Sequence, residues 1–354
     1  MGLTTTCIGA YPKPDYVPIR DWFQIDQGLT ASGGLTTRLA TEAMAQTGDP
    51  AIEARYRQAT KAAIDDQIAC GIDIPSDGEQ RRENYIHYHC RHLHGFDFTN
   101  LTSRTLRDGA YTTELPTISG PVSAKDGHFL DADFTAAQSF TDRPVKITVP
   151  GPITITDTCA NLHYAEPSRL AEDLAAALNH EIKALAAAGC QHIQVDEPLF
   201  ARNPEAALDY GIACLERCFA GVPANVTKIV HLCCGYPEHL DDTEYHKADP
   251  AVYRRLAAAL DASLIEQISI EDAHCHNDLS LLELWPNKTV IFGAVAIAQS
   301  RVETAAEIKG RLQAALNHID RDRLIVAPDC GLAMLGRERA MAKLSAMCAA
   351  AKEV

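Results

Sequence analysis

The chain has 354 residues, of which 46% are apolar, so it can build a sizeable hydrophobic core. Its formal net charge of −15 disfavours binding to nucleic acid or to an anionic membrane surface. The first residues lack the basic and apolar regions of a secretory signal, and no apolar run reaches the length of about 18 residues that a membrane-spanning helix needs. Twelve cysteines in such a chain predict reduced thiols and a cytoplasmic location.

Short apolar or β-branched stretches recur along the chain, and from its middle onward they alternate with stretches of helical periodicity. Eight of them are predicted as strands: Thr4–Gly9, Gly71–Ser76, Val145–Val149, His192–Asp196, Lys228–Cys233, Gln267–Glu271, Thr289–Val295 and Leu324–Pro328. The predicted helices are Ala51–Ile68, Ser168–Ala188, Asn203–Phe219, Ala251–Ala262, Val302–Ile319 and Arg337–Lys352. Near-continuous apolar strands that alternate with helices indicate a parallel sheet, and eight such units predict an α/β protein with a closed (β/α)8 TIM barrel.

One segment breaks this alternation. Residues Gln80–Arg143 are polar and rich in Thr, His and Asp, so we predict an insertion of about residues 80–144 after strand two. Part of it, Thr117–Ala124, is predicted to form a hairpin laid over the barrel. Because no linker rich in Gly, Pro or Ser interrupts the chain, residues 1–354 are predicted to form one domain.

Titratable and metal-ligating residues follow five of the eight predicted strands. Since the carboxyl ends of barrel strands all meet at one rim, where such enzymes keep their chemistry, these side chains are predicted to gather there. The strand ends are Asp77-Gly78-Glu79, Asp196-Glu197-Pro198, His231-Leu232-Cys233-Cys234-Gly235, Glu271-Asp272 and Asp329-Cys330-Gly331.

A metal site is the first hypothesis for this rim. His231 and Cys233 are two residues apart in a strand, so their side chains point to the same side. Cys330 and Glu271 end other strands, which completes a set of one imidazole, two thiolates and one carboxylate. Soft thiolates with imidazole favour Zn²⁺, and zinc lowers the pKa of an incoming thiol so that a thiolate is available at neutral pH. Glu79 and Asp196 remain to bind a cationic or hydrogen-bonding substrate group.

Each of these residues also has a purely structural interpretation. Glu79 could be an acid in a loop salt bridge, and the segment Asp196-Glu197-Pro198 could simply cap a helix. Cys234 points to the other side of its strand, as a core residue would. His87, His89, His92 and His94 with Cys90 match no closed zinc spacing, which favours a solvated or loop-packing role. His274 and His276 could line the rim or face solvent.

The chain resembles the C-terminal catalytic half of the cobalamin-independent methionine synthase family nearly end to end, from Thr4-Thr5-Thr6 to Arg337. The motifs that carry the resemblance occur in the family's order: Ile8-Gly9 with Tyr11-Pro12, Asp77-Gly78-Glu79, Arg143-Pro144-Val145-Lys146 with Gly151-Pro152, Val195-Asp196-Glu197-Pro198, His231-Leu232-Cys233, Ile268-Ser269-Ile270-Glu271 and Pro328-Asp329-Cys330-Gly331-Leu332. The family's large N-terminal half has no counterpart here, so the chain resembles a single-barrel core member.

The resemblance implies zinc ligated by His231, Cys233, Glu271 and Cys330, the set reached above from the strand ends. It also implies that Glu79 and Asp196, with Ile8 and Gly9, contact the amino-acid part of the thiol substrate. In the family, zinc-bound homocysteine thiolate attacks the methyl group of a methylfolate. No catalytic residue beyond the zinc ligands is implied.

Three departures from the family's pattern bear on the substrates. The family's Ile-Gly-Ser, whose serine helps to hold the substrate carboxylate, is Ile8-Gly9-Ala10 in this chain. The family's Asp-Ile-His, whose histidine is linked to methyl transfer, is Ala296-Ile297-Ala298. The tryptophan that stacks on folate has no clear counterpart between Arg104 and Pro116, where Tyr111 is the nearest aromatic residue.

Three functional hypotheses follow. The first is a zinc-dependent methyltransferase that makes methionine from homocysteine with a small methyl donor. The second is a zinc-dependent alkyltransferase acting on another thiol, such as epoxyalkane:coenzyme M transferase, to which the resemblance extends. The third is a non-catalytic zinc-binding barrel, which an open, carboxylate-ligated site disfavours. The expected partners are a small-molecule thiol and a methyl or alkyl donor. Barrels often dimerise, so a homodimer is compatible with the sequence.

Overall fold

The computed structural model describes residues 2–19, 40–106, 111–235, 239–242 and 247–354. Its strands, in chain order, are β1 (Thr4–Thr5), β2 (Leu93–Leu106), β3 (Tyr111–Ala124), β4 (Lys146–Pro150), β5 (Ala160–Asn161), β6 (His192–Asp196), β7 (Thr227–Leu232), β8 (Gln267–Ile270), β9 (Thr289–Gly293) and β10 (Leu324–Ala327). Seven of them form one parallel sheet in the order β1-β10-β9-β8-β7-β6-β4. Apart from β5, which lies outside this sheet, each strand from β4 to β10 pairs with the next one along the chain, and β10 pairs with β1, as a curled barrel sheet requires.

The eighth predicted strand, Gly71–Ser76, is present only as two isolated parallel bridges, Thr6 to Ile74 and Ser76 to Lys146. Pro75 has no N–H to donate, and the Asp73 carboxylate takes the N–H of Thr5 at 2.9 Å in place of a ladder bond. The two bridges nevertheless join β1 to β4. The predicted TIM barrel is confirmed, with a seam at its second strand.

The helices that follow the strands agree closely with the sequence pattern. In chain order they are α1 (Pro50–Cys70), α2 (Tyr85–Cys90), α3 (Leu130–Gln138), α4 (Pro152–Thr158), α5 (Pro167–Ala187), α6 (Leu199–Arg202), α7 (Pro204–Ala206), α8 (Ile212–Cys218), α9 (Val252–Ala262), α10 (Ala305–Ala315) and α11 (Arg337–Glu353). The predicted helix Asn203–Phe219 contains a π-helical turn, Ala207–Gly211, between α7 and α8. A Cβ at Gly211 would lie 2.9 Å from the Phe200 ring, so this turn lets the helix pass close to α6.

Two apolar regions hold the barrel together. The main core lies between the sheet and its helices, and a separate cluster joins Ile8, Ile229, Ile291 and Ile325, which come from different strands. A small cluster of branched side chains, separate from the outer core, is what a filled barrel interior requires. Among the described residues, no helix is long and apolar enough to cross a membrane.

The inserted segment folds as a long antiparallel hairpin of β2 and β3, with short helices at both ends. The prediction of a hairpin is right, but Thr117–Ala124 supplies only one strand of it, the second half of β3. Thr117 pairs with Ala160, so β5, which follows α4, docks the hairpin onto the barrel. The assignment of residues 1–354 to a single domain stays a prediction.

Candidate active site

The carboxyl ends of the central strands bring several predicted site residues to one height. Asp196 pairs with Pro150 on one side and with His231 on the other, and His231 pairs with Ser269. Because side chains of paired residues emerge on the same face of a sheet, the Asp196 carboxylate and the His231 imidazole face the same space. Asp196 and His231, which the sequence placed at one rim because they end neighbouring strands, therefore lie side by side in the structure.

His231, Cys233 and Cys330 converge at this rim. One ligand atom of each lies within 4.8 Å of the others. His231 and Cys233 come from the end of β7. Cys330 follows β10, which lies three places from β7 in the sheet order. His231 and Cys233 are buried. Residues about 100 positions apart in the chain thus supply one compact donor set.

The two thiols of this set share a hydrogen bond. That bond lowers the pKa of Cys233 well below its ordinary value, with further help from His231. The same bond raises the pKa of Cys330 well above its ordinary value. Burial alone would lower the pKa of His231, but the neighbouring Cys233 and its thiolate charge raise it. The group therefore favours a thiolate in a buried position, which is the state in which cysteine ligates metals.

The residues present fit a zinc ion. The Nε2 atom of His231 is buried and has no hydrogen-bond partner among the described residues. Its other ring nitrogen, Nδ1, lies 2.9 Å from the Ser269 hydroxyl, the kind of contact that fixes the ring orientation of a metal-ligating histidine. A buried nitrogen left without a partner is costly unless a bound ligand satisfies it. One imidazole and two thiols are the donor types that Zn²⁺ prefers.

Glu271, the predicted fourth ligand, lies one residue past β8 and is buried. One carboxylate oxygen accepts the Cys234 N–H at 3.0 Å, and the other is paired with Lys247. Burial raises the pKa of Glu271 to about 7. It is not part of the compact three-residue set, so its ligand role stays a prediction that requires the carboxylate to leave Lys247.

Glu79 is held from two sides in the loop after the barrel seam. Its Oε1 atom accepts a hydrogen bond from Thr148 at 2.7 Å and lies 3.4 Å from the Arg82 guanidinium. Its φ of 54° is unusual for a residue other than glycine. Burial nevertheless raises its pKa to about 7, against the opposing effect of Arg82. The interpretation of Glu79 as an acid in a loop salt bridge is thus partly correct. The ion pair with Arg82 does not fully offset the cost of burying the charged carboxylate.

Gly9 and Ile8 connect the two substrate-binding candidates. A Cβ at Gly9 would lie 2.4 Å from Glu79 Oε1, so only glycine permits this close approach. The Gln194 amide donates to the Ile8 carbonyl at 3.0 Å and to Asp196 at 2.7 Å. Burial raises the pKa of Asp196 to about 6. The end of strand one therefore lies between two buried acids.

The helix-capping interpretation of Asp196-Glu197-Pro198 applies to Glu197 and not to Asp196. The Glu197 carboxylate accepts the N–H groups of Ile153 and Thr154, both at 3.0 Å, at the start of α4. A Cβ at Gly151 would lie 2.1 Å from the Glu197 carboxyl carbon, which explains the glycine there. Adjacent acids therefore serve different purposes, and Asp196 faces the rim.

Two further residues lie at the rim that the strand-end argument missed. Tyr85 begins α2, and burial, followed by the negative charges of Asp196, Cys233 and Cys330, raises its phenol pKa well above the ordinary value. Arg202 ends α6, and its positive charge opposes these effects on Tyr85 and helps to lower the pKa of Cys233. Neither residue ends a barrel strand. Only their positions just after Glu79 and Asp196 could have drawn attention to them.

Three of the other histidines, His274, His92 and His89, make structural contacts. His274 donates to Asp329 at 2.6 Å and accepts the Ala298 N–H at 3.2 Å, so both of its ring nitrogens are used. His92 stacks on Phe129 with ring centroids 4.1 Å apart, and His89 is fully buried. The cluster around α2 therefore packs the base of the hairpin. Cys234, buried against the Tyr253 hydroxyl, is also a core residue.

Comparison with known proteins identifies the family. Residues 36–353 match the family model described as the catalytic domain of cobalamin-independent synthase. A methionine synthase of Saccharolobus islandicus is 28% identical over 354 residues, which cover 99% of this chain and 95% of that protein. A methionine synthase of Sulfolobus acidocaldarius is 28% identical over 344 residues, which cover 97% and 89%.

Solved structures agree. A B12-independent methionine synthase from Shewanella sp. W3-18-1, in complex with selenomethionine, is 32% identical, with 100% of this chain and 98% of that chain covered and a TM-score of 0.82. A methyltransferase from Methanosarcina mazei is 14% identical, with 96% and 94% covered and a TM-score of 0.55, which shows likeness of fold alone. The chain therefore belongs to the cobalamin-independent methionine synthase family, and the prediction that it is a transferase enzyme is confirmed.

Proposed function

We propose that this protein is a zinc-dependent methyltransferase that converts homocysteine to methionine with a small-molecule methyl donor. The convergence of His231, Cys233 and Cys330, with the His231 Nε2 atom left without a partner among the described residues, carries the proposal. Family membership and the Shewanella relative, whose bound selenomethionine is the selenium analogue of the proposed product, support it.

The three convergent residues, with Glu271 as the fourth ligand, would hold the zinc ion. When bound, zinc supplies Lewis acidity that lowers the pKa of an incoming thiol and makes it nucleophilic at neutral pH. For Glu271 to take part, its carboxylate has to exchange Lys247 for the metal. The Ser269 hydroxyl keeps the His231 ring oriented throughout.

The acids at the rim favour homocysteine over thiols with an anionic tail. Glu79 and Asp196 are both buried, and each raises the other's electrostatic cost: the Asp196 charge contributes to the raised pKa of Glu79. A substrate ammonium group placed between them would remove this cost and gain charge-assisted hydrogen bonds. A sulfonate, as in coenzyme M, would add to the negative charge instead. The exposed Arg202 is available to the substrate carboxylate at the outer side of the rim.

Two specific observations favour the alkyltransferase alternative. No serine hydroxyl stands beside Gly9, because Ala10 occupies that position and packs against Gly331. His274, which accepts the Ala298 N–H, has both ring nitrogens engaged and is not free to deliver a proton. A different thiol or donor would fit these two differences.

Calorimetric titration of the purified protein separates the two candidates. We expect one equivalent of zinc at the central site, and saturable binding of homocysteine with little binding of coenzyme M under the same conditions. Binding of coenzyme M without homocysteine would exclude methionine synthesis. Full activity in protein stripped of zinc would exclude the central proposal.

A further inference from the structure

A second group of metal-ligating side chains lies outside the active site. His128, between the hairpin and α3, meets His180 and Glu181 of α5, and one ligand atom of each lies within 4.8 Å of the others. The rings of His128 and His180 are stacked, with centroids 4.2 Å apart and planes inclined by 29°. We call these three residues the outer histidine cluster. It shares no residue with the rim.

The carboxylate of this cluster is fixed before any ligand arrives. The Glu181 side chain is only 4% exposed. Its Oε2 atom accepts the N–H groups of Phe129 at 3.2 Å and Leu130 at 3.4 Å, and its Oε1 atom lies 3.2 Å from His128 Nδ1. A buried carboxylate oriented by backbone donors loses little conformational freedom when it binds a cation.

The two imidazoles are arranged as metal-ligating histidines are. His180 Nε2 lies 3.2 Å from the Gly127 carbonyl, to which it donates. A neutral imidazole that donates through one nitrogen carries a lone pair on the other, and metal-ligating histidines commonly donate their second N–H to a backbone carbonyl.

We propose that the outer histidine cluster binds a divalent transition-metal ion of the zinc class. Two imidazoles and one carboxylate are a common zinc donor set, with the remaining position open to water. Such an ion would join the loop that leaves β3 to helix α5, and so fasten the base of the hairpin to the barrel. The chain's net charge of −15 also favours cation binding in general.

Metal titration of the zinc-loaded protein tests the proposal. With Zn²⁺ as the probe, we expect a second equivalent to bind beyond the central one. His128→Ala and His180→Ala should each weaken that second equivalent at least about tenfold and leave the first unchanged. The matched control is His318→Ala, because His318 also pairs with a carboxylate, Glu283 at 2.7 Å, but belongs to no three-ligand group among the described residues.

Two further measurements keep this inference separate from the proposed function. Cys330→Ser should lose the central equivalent and keep the outer one, so failure of the central site leaves the outer site measurable. Trypsin cleavage after the exposed Lys125 should slow when the second equivalent binds, and should not slow in His128→Ala. A wild-type protein that takes up no second equivalent, or a His128→Ala variant that binds it as tightly as wild type does, would overturn the inference.

Discussion

Asp196 lies directly opposite His231 across the ladder of β6 and β7, so a carboxylate and an imidazole of the three-residue donor set share one height on adjacent strands. The charge of His231 also acts on Asp196, where it opposes the rise of the acid's pKa. A thiol amino acid has its sulfur and its amino group a few bonds apart. The strand pairing thus sets a spacing that suits such a small zwitterion.

Removal of Cys330 should remove the metal. We expect Cys330→Ser to retain its fold but to lose most of its bound zinc and its activity together, because serine is a poor ligand for zinc in a thiolate site. Elemental analysis and circular dichroism provide the measurement. Cys275→Ser is the matched control, since Cys275 is partly exposed and lies outside the compact ligand set. Equal zinc content in both variants would contradict the ligand assignment.

Loss of the Asp196 charge should weaken substrate binding and spare the metal. We expect Asp196→Asn to bind homocysteine about 10- to 100-fold more weakly, the usual effect of losing a hydrogen bond between charged groups. Titration calorimetry on zinc-loaded protein measures the change. Glu53→Gln, which alters an exposed partner of Arg81, should bind like wild type.

The pH dependence of stability should reveal Glu79. Burial raises its pKa from an ordinary 4.5 to about 7, so the folded protein holds a proton that the unfolded chain releases in that range. Its contribution to the free energy of unfolding is therefore full below about pH 4.5 and is lost as pH rises through 7. Glu79→Gln cannot lose a proton, so its stability relative to substrate-free wild type should increase by about 1–3 kcal/mol between pH 5 and pH 8. Denaturant unfolding at both pH values measures this, and a constant difference would count against the raised pKa.

A methyl group at Gly9 should disturb Glu79 without touching the metal ligands. The added Cβ would lie 2.4 Å from Glu79 Oε1 and 3.0 Å from Thr148 Cγ2, so the carboxylate has to move. We expect Gly9→Ala to keep its zinc and to lose at least about tenfold in homocysteine affinity. Gly310→Ala is the control, because nothing lies within 4 Å of its added Cβ, and in the interior of α10 it should stabilise the protein by up to about 1 kcal/mol.

Tyr85 should contribute to turnover. Because its phenol lies within electrostatic reach of both thiols and of Asp196, we expect Tyr85→Phe to lower kcat by about 5- to 10-fold, the effect of one lost hydrogen bond, while zinc content stays unchanged. Steady-state kinetics with metal analysis provide the test. Tyr210→Phe, in the π-helical turn, should behave like wild type.

The sequence predicted well whatever depends on local pattern. Strand–helix alternation located the barrel, and the spacing of His231 and Cys233 put both side chains on one face. The prediction from sequence failed where a polar side chain or a proline overrides the apolar pattern of a strand. Gly71–Ser76 reads as a strand, but Asp73 and Pro75 divert its hydrogen bonds.

Pairings between distant residues were also beyond reach. Nothing near Glu271 in the sequence indicates Lys247 as the partner of its carboxylate, and nothing near His128 indicates its two neighbours on α5, His180 and Glu181. These contacts depend on how loops fold over the barrel, which periodicity does not encode. Tyr85 lies at the rim because the insertion turns back after Glu79, and that turn is a tertiary feature.

The seam at the second strand has a consequence for motion. Among the described residues, β1 is joined to β4 at the seam by the bridges at Ile74 and Ser76 and by neighbouring hydrogen bonds. Continuous ladders connect the other barrel strands. Transient opening should therefore begin at this joint, and amides around Ile74 and Lys146 should exchange with solvent deuterium sooner than those of β7 or β8. Because Glu79 lies a few residues beyond the joint, whereas His231 and Cys233 follow β7 in the continuous part of the sheet, such a fluctuation would open the substrate side of the rim and leave these two residues in place.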